Sequence, residues 1–294
     1  MWIHIESWFL LSTSVALLWG LSGIFAKSST SKLGVARVAI LITLVEGALY
    51  SAAFLVWREP HHITLYEGVI ATASCVIGLS GYLCYFESIL EGQVSIAGTI
   101  SAGYPALTVV GAVLLLSESL AATQILGIAL VILGVVAISY EPNPKSVNAL
   151  NRRSLMFAVL AFFAWGIWSL SSKVAVDMVG PGNLFAFYVI SSLTAPLMYA
   201  WFRSMRPAKG EPPIPTRSAW SLGTIALSLN VVGAFAYTYA LDMGSASLVV
   251  SVSSAYPIVT ALCAILFLKE KINLVQALAI VGVVGGLVAI GLSL

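Results

Sequence analysis

Ser101-Ala102-Gly103-Tyr104-Pro105 returns later in the chain as Ser253-Ser254-Ala255-Tyr256-Pro257. The recurrence extends well beyond five residues. A constant shift of 152 carries Gly81–Ile138 onto Gly233–Ile290 without a gap. It brings Tyr85 onto Tyr237, Gly92 onto Gly244, Ser95 onto Ser247 and Thr108 onto Thr260, then Glu118 onto Glu270, Gln124 onto Gln276 and Gly134 onto Gly286. Apolar runs coincide by chance, but a Tyr-Pro, a Glu and a Gln in one register rarely do. The chain therefore reads as an internal duplication. Each proline lies midway along an apolar segment, where it removes a backbone donor and clashes with the preceding turn. In a bilayer the carbonyl so freed needs a partner in protein or in a wet cavity. Matched interruptions in two halves point to a transporter binding site; the plainer alternative is a pair of packing kinks.

Working outward, the 294 residues are 60% hydrophobic and 9% charged, with mean hydropathy +1.00. Soluble domains carry about 25% charged residues, so this is an integral membrane protein and the lipid bilayer is its first partner. The net charge of +2 comes without a basic run interleaved with aromatics, so no nucleic acid is expected. Cys75, Cys84 and Cys263 lie in apolar segments without ligand spacing. His61-His62 reads as a solvated loop, and no metal or cofactor is expected. The N-terminus lacks a basic n-region and a small-residue cleavage site, so the first apolar segment is expected to be a retained helix.

Segments of spanning length fall at 8–27, 35–57, 66–89, 94–116 and 121–139, then at 154–176, 183–203, 218–241, 246–268 and 273–293. These are helices 1 to 10. Glu141-Pro142-Asn143-Pro144-Lys145 opposes helix continuation and separates the halves. The expected organisation is a first repeat over 1–140, a linker over 141–153 and a second repeat over 154–294. The loop 204–217 holds Pro207, Pro212, Pro213 and Pro215 and is expected to be extended. No stretch is long enough for a separate soluble enzyme. Asp occurs only as the isolated Asp177 and Asp242, and no G-x-x-x-x-G-K-[ST] loop is present. A lipid-modifying membrane enzyme would need paired acids or a His/Asp cluster, so the chain reads as a non-enzyme.

The duplication also reaches helices 1 and 6. Leu18-Trp19-Gly20 aligns with Ala164-Trp165-Gly166, and Lys27 with Lys173, at a shift of 146. Five helices per half is odd, so the halves have opposite orientations. The expected fold is all-α: ten transmembrane helices as two inverted five-helix repeats around a central cavity. Loops 1–2, 5–6, 7–8 and 9–10 hold Lys27, Lys32, Arg37, Lys145, Arg152, Arg153, Arg203, Arg206, Lys209, Arg217, Lys269 and Lys271; the other face has Arg58 and Lys173. The positive-inside rule puts the first set in the cytoplasm and both termini outside.

On the Trp-Gly of helices 1 and 6, the Tyr-Pro of helices 4 and 9, and the Glu and Gln of the 4–5 and 9–10 corners, the chain resembles the drug/metabolite transporter superfamily. More narrowly it resembles the ten-helix EamA-type branch, which includes amino-acid exporters. The resemblance covers nearly the whole chain. It implies a multi-pass protein of a bacterial-type inner membrane, with a cavity lined by helices 1, 3, 4, 6, 8 and 9 and with helices 5 and 10 to one side. Small multidrug pumps of the superfamily carry a mid-span acid in helix 1, and this chain has none there.

Aromatic residues crowd those helices: Trp19, Tyr82, Tyr85, Tyr104, Trp165, Trp168, Phe235, Tyr237, Tyr239 and Tyr256. Tyr and Trp join an apolar face to one polar tip, which suits an amphiphilic solute. The alternative, an interfacial belt, suits Trp2, Trp8, Trp57, Trp201 and Trp220. Ser101, Ser253 and Asn230 are candidate contacts for a carboxylate or amine, or helix-packing groups. Pro105 and Pro257 are the candidate hinges. Glu46, near the centre of helix 2, is the intramembrane acid to be explained, as a coupling proton site or the partner of a base. Glu87 is expected at the interface, and Glu118 and Glu270 as caps opening helices 5 and 10. The expectation is a secondary exporter of small organic metabolites, amino acids including aromatic or large apolar ones. The alternatives are drugs or nucleoside-like solutes, in a monomer or a dimer.

Overall fold

Long antiparallel helix pairs, each made of one helix from either repeat, build the protein. The computed structural model describes residues 6–91, 100–139, 152–204, 214–268 and 273–293. The break 141–145, Glu270 with its flanking lysines, and most of the loop 204–217 lie outside the described residues. The helices are α1 (Ser7–Leu33), α2 (Val35–Trp57), α3 (Leu65–Glu91), α4 (Ile100–Leu115) and α5 (Ala122–Ser139), then α6 (Arg152–Val179), α7 (Pro181–Ser204), α8 (Arg217–Met243), α9 (Ala246–Ser253 continued by Tyr256–Leu268) and α10 (Leu274–Leu292). All ten expected helices are present, and several outrun their apolar cores; α1, for example, continues to Leu33.

Glycines and serines set the pairing. Along α1 and α8, Trp8 meets Gly244, Trp19 meets Gly233, Ser22 donates to the Ala226 carbonyl at 2.8 Å, and Leu33 meets Gly223. Along α3 and α6, Ser74 meets Ser172 at 3.1 Å, Gly78 meets Trp168, Gly81 meets Trp165, and Ser88 donates to the Ser154 carbonyl at 2.8 Å. One number rises as its partner falls, so both pairs are antiparallel. The shift of 146 carries α1 to α6 and the shift of 152 carries α3 to α8, so the two pairs are copies of each other, as an inverted duplication requires. Lipid offers no hydrophobic drive between helices, so small residues that admit close backbone approach take its place.

α5 and α10 form a third antiparallel pair to one side. Val131 and Val283, equivalent in the duplication, are both fully buried there. The backbone oxygens of Gly127 and Gly286 face each other's Cα, so a methyl group on Gly286 would sit 2.6 Å from the Gly127 oxygen. Gln124 and Gln276 close the N-termini of these helices by accepting from the backbone N–H of Ala121 at 2.9 Å and of Asn273 at 3.1 Å.

Two acids differ from expectation. Glu118 does not cap its own helix. Ser117, at φ 57°, turns the chain back, and the Glu118 carboxylate accepts from the backbone N–H of Ala246 at 2.6 Å and of Ser247 at 3.0 Å, and from the Ser247 hydroxyl. It therefore caps α9 of the other repeat, where a negative charge complements the helix dipole. Glu87 is buried, 1% exposed, because its turn of α3 packs inward rather than reaching the interface. Trp8 is also buried, not interfacial, whereas Trp57 and Trp201 are exposed as a belt requires.

Replacing Gly286 with Ala is expected to cost about 1–3 kcal/mol by overpacking. Gly282 and Gly285 face open space, and alanine there is expected to be neutral or mildly stabilising. Unfolding of the three variants in mixed micelles checks this; a Gly286→Ala protein as stable as the parent would overturn the packing account.

Candidate functional site

Both Tyr-Pro segments break their helices. In α4 the helical run ends at Ala102, Gly103 makes a turn, and a new helix starts at Tyr104 with Pro105 in its first turn. In α9 the first piece ends at Ser253 and the second starts at Tyr256. Proline is tolerated in a first turn because the missing N–H has no intrahelical partner there anyway. The turns match bond for bond. Gly103 N–H donates to the Ile100 carbonyl at 3.2 Å and Ala106 to Gly103 at 3.0 Å; Ala255 donates to Val252 at 3.1 Å and Ile258 to Ala255 at 3.0 Å. The chain thus has two discontinuous helices at equivalent depths, opposed in direction.

Each break is locked to the Trp-Gly of the opposite repeat. Thr108 Oγ1 donates to the Gly166 carbonyl at 3.2 Å, and Thr260 Oγ1 donates to the Gly20 carbonyl at 3.0 Å. The Trp165 ring lies 6.0 Å from Tyr104 and 5.6 Å from Tyr85. The Trp19 ring lies 6.3 Å from Tyr256 and 5.4 Å from Tyr237, with the same 40° tilt to Tyr237 that Trp165 makes to Tyr85. Both indoles rest on a glycine: a Cβ at Gly81 would sit 2.5 Å from Trp165, and one at Gly233 would sit 2.6 Å from Trp19. Trp168 completes the layer, stacking on Tyr237 at 5.3 Å and meeting Trp19 at 6.3 Å. The result is an aromatic layer across the middle of the molecule, two-fold except at Trp168, whose counterpart is Ser22.

Above this layer, toward the face that carries the basic loops, lies a narrow cavity of about 60 Å³. Glu46, Tyr82, Phe86, Asn230, Ser22 and Ser29 are among its lining residues. It is therefore lined by α1, α2, α3 and α8, and not by the six helices the resemblance implied. α4, α6 and α9 contribute to the layer beneath. Helix α2 lines the cavity with Val38, Leu41, Ile42 and Glu46; its stretch Ile42–Glu46 is a π-turn, held where Thr43 Oγ1 donates to the Ser192 carbonyl at 2.8 Å. A π-turn inserts one residue into the helical ladder and often marks a functional position; here it ends on Glu46. Asn230 joins cavity to layer. Its Nδ2 donates to Tyr82 Oη at 2.6 Å, and its backbone oxygen accepts the Trp19 indole N–H at 3.1 Å.

Below the layer the opposite face is shut. Tyr50 and Tyr188 stack at 4.8 Å, and Phe185 and Phe235 meet at 4.9 Å. Trp57 lies 5.6 Å from Phe235 and 6.4 Å from Tyr239. Past these rings, the Glu59 N–H donates to Asn183 Oδ1 at 3.1 Å and Asn183 Nδ2 donates back to the Glu59 carbonyl at 3.2 Å. Gly182 N–H donates to Glu59 Oε1 at 3.2 Å.

Of the residues singled out from sequence, Tyr82, Asn230 and Glu46 line the cavity. Trp19, Tyr85, Tyr104, Trp165, Trp168, Tyr237 and Tyr256 form the central layer. Ser101 and Ser253 are buried at the breaks beside Pro105 and Pro257. Tyr239 stands apart, in the closed face. Sequence reasoning missed Ser22, Ser29 and Phe86 in the cavity and Tyr50, Phe185, Tyr188, Asn183 and Glu59 in the closed face. The ring pair Phe185 and Tyr188, one turn apart beside Asn183 at the start of a helix, was the available signal.

Inverted repeats with paired discontinuous helices at mid-depth are an architecture of membrane transporters. Comparison with known sequences agrees. The chain belongs to the EamA-like transporter family, whose pattern matches it twice, over residues 6–140 and 152–292. It is 23% identical over 273 residues to an uncharacterized transporter of Archaeoglobus fulgidus, covering 90% of each chain. It is 31% identical over 113 residues to an uncharacterized transporter of Clostridium kluyveri, covering 38% of this chain and 33% of that one. A solved crystal structure shares the fold with TM-score 0.76 at 21% identity, over 98% of this chain and 99% of that one.

Alanine at Gly81 or Gly233 must push an indole out of the layer. Each is expected to cost about 1–3 kcal/mol and to shift tryptophan emission to the red as a ring is exposed to water. Variants with unchanged stability and emission would show that the rings do not depend on these glycines.

Proposed function

We propose that this protein is a secondary transporter that exports small organic metabolites, amino acids with aromatic or large apolar side chains foremost, by alternating access. One observation carries the reading. The cavity stops at an aromatic layer built by rings of both repeats, while the face beyond it is closed by rings and by the Glu59–Asn183 contact. A solute would rest on the layer, and the two halves would open to either face in turn. The breaks at Pro105 and Pro257 place flexible points where such a motion needs them, since the helical ladder is already interrupted there. The rings offer stacking surface to a side chain of the same kind. A drug or nucleoside-like solute would also stack, and the cavity's charge favours the amino-acid reading over an anionic metabolite. The site is taken to be complete within one chain.

Counterflow in liposomes with labelled amino acids, nucleosides and cationic drugs tests the substrate class. Tyr256→Ala is expected to weaken transport of aromatic substrates by about 0.5–1.5 kcal/mol beyond area loss, and that of small substrates less. Pro257→Ala is expected to slow exchange more than it weakens binding. Unchanged transport of every substrate in both variants would remove the layer from the mechanism.

The bias of Lys and Arg toward one set of loops supports placing that face in the cytoplasm. In a cysteine-free background, single cysteines in the loop 204–217 are expected to resist an impermeant thiol reagent in intact cells. Ready labelling would invert the orientation, and with it the direction in which the cavity points.

A further inference from the structure

The cavity's polar groups are uneven in kind. Among the described lining residues Glu46 is the one acid or base, half-buried, with no hydrogen bond or ion pair to any described residue. An acid inside a membrane is costly unless it is paired. The serines around it have committed their hydroxyl protons elsewhere, and Asn230 has committed one of its two N–H groups. Ser22 donates to the Ala226 carbonyl at 2.8 Å, Ser29 to the Ala26 carbonyl at 3.2 Å, and Asn230 Nδ2 to Tyr82 Oη at 2.6 Å. What these groups still offer a guest is mostly acceptor, the Glu46 carboxyl, the amide oxygen of Asn230 and the lone pairs of the serines, beside two neutral donors, the Tyr82 O–H and the second Asn230 N–H. A cavity rich in acceptors and lacking a described cation is the complement of a group with several donors and no acceptor. An ammonium has three donors and no acceptor. The aromatic lining agrees: Tyr82 and Phe86 lie 6.2 Å apart, and aromatic faces attract cations. An anion in the same place would meet an acid and no cation among the described lining residues.

We infer that Glu46, with Asn230 and Tyr82, is the anchor for the ammonium group of the transported solute. The inference rests on the transporter reading and says which end of the solute the cavity holds. The π-turn is part of the device, because it ends on Glu46, among the residues that line the cavity with Asn230. The side chain of an amino-acid-like solute would extend from this anchor toward the ring layer, where Trp165 lies 5.4 Å from Tyr82.

Titration of the purified full-length protein by tryptophan emission tests this, using phenethylamine and 3-phenylpropionate as probes. They share a phenyl ring on a short chain and differ in carrying an ammonium or a carboxylate. Phenethylamine is expected to saturate, and 3-phenylpropionate to show no saturation. Glu46→Gln is expected to weaken phenethylamine binding about tenfold or more, the scale of a lost charged hydrogen bond. Asn230→Ala, which keeps the acid and serves if the first variant does not fold, is expected to weaken it several-fold. Equal binding of phenethylamine by the parent and by whichever variant folds would overturn the anchor. So would tighter binding of the carboxylate probe, or no saturation with either. These outcomes are separate from transport: counterflow that persists without amine preference removes the anchor alone, whereas absent counterflow for every solute removes the transporter reading and leaves the titration standing.

Discussion

Everything in this fold depends on two hydrogen bonds that cross between the repeats, Thr108 to the Gly166 carbonyl and Thr260 to the Gly20 carbonyl. A bilayer interior supplies no water to a broken helix, so a chain that interrupts two helices at mid-depth must surround the breaks with protein. The threonines do this one turn after each proline, and they do it by reaching the backbone beside a tryptophan of the other half. The glycine after each tryptophan permits the approach. The same few residues thus hold the broken helices in register, seat the indoles on Gly81 and Gly233 and fix the depth of the aromatic layer. Site and scaffold are one set of contacts.

Asymmetry then enters where the duplication has diverged. Positions Phe235 and Tyr239 of α8 correspond to Leu83 and Glu87 of α3. The first pair belongs to the ring cluster that closes one face. The second pair supplies no such rings, and the cavity lies on that side. The two faces of a perfectly repeated chain would be equally open or equally shut. Side chains at equivalent positions decide which face closes in the conformation described here.

Much of this was legible in the sequence because the duplication is strict where the backbone is constrained. The shift of 152 follows the positions that must approach another helix or turn a corner: Tyr-Pro, Thr108 and Thr260, Gly134 and Gly286. Apolar segments of spanning length gave the ten helices, and those residues gave the duplication and the two helix breaks. What stayed hidden had no period to betray it. Glu46 is one acid in an apolar helix, and nothing local reveals a π-turn, which follows from Thr43 reaching the Ser192 carbonyl of α7. The role of Glu118 was misread for the same reason. A carboxylate ahead of a helix looks like a cap for that helix, but the φ of Ser117 sends it to another one. Glu87 was placed at the interface by counting residues from the end of α3, and packing overrode the count.

The exchange of tryptophans between halves bears on how the chain is made. Trp19 finds Gly233, Asn230, Tyr237 and Tyr256 only after more than two hundred further residues have been synthesised. Until then α1 carries an unfilled groove, and the α4 break has no Gly166 to accept from Thr108. Neither half can settle into its native packing by itself, and docking of the second must complete the first. Contacts so distant along the chain make assembly slow and leave unpartnered polar groups exposed to lipid meanwhile.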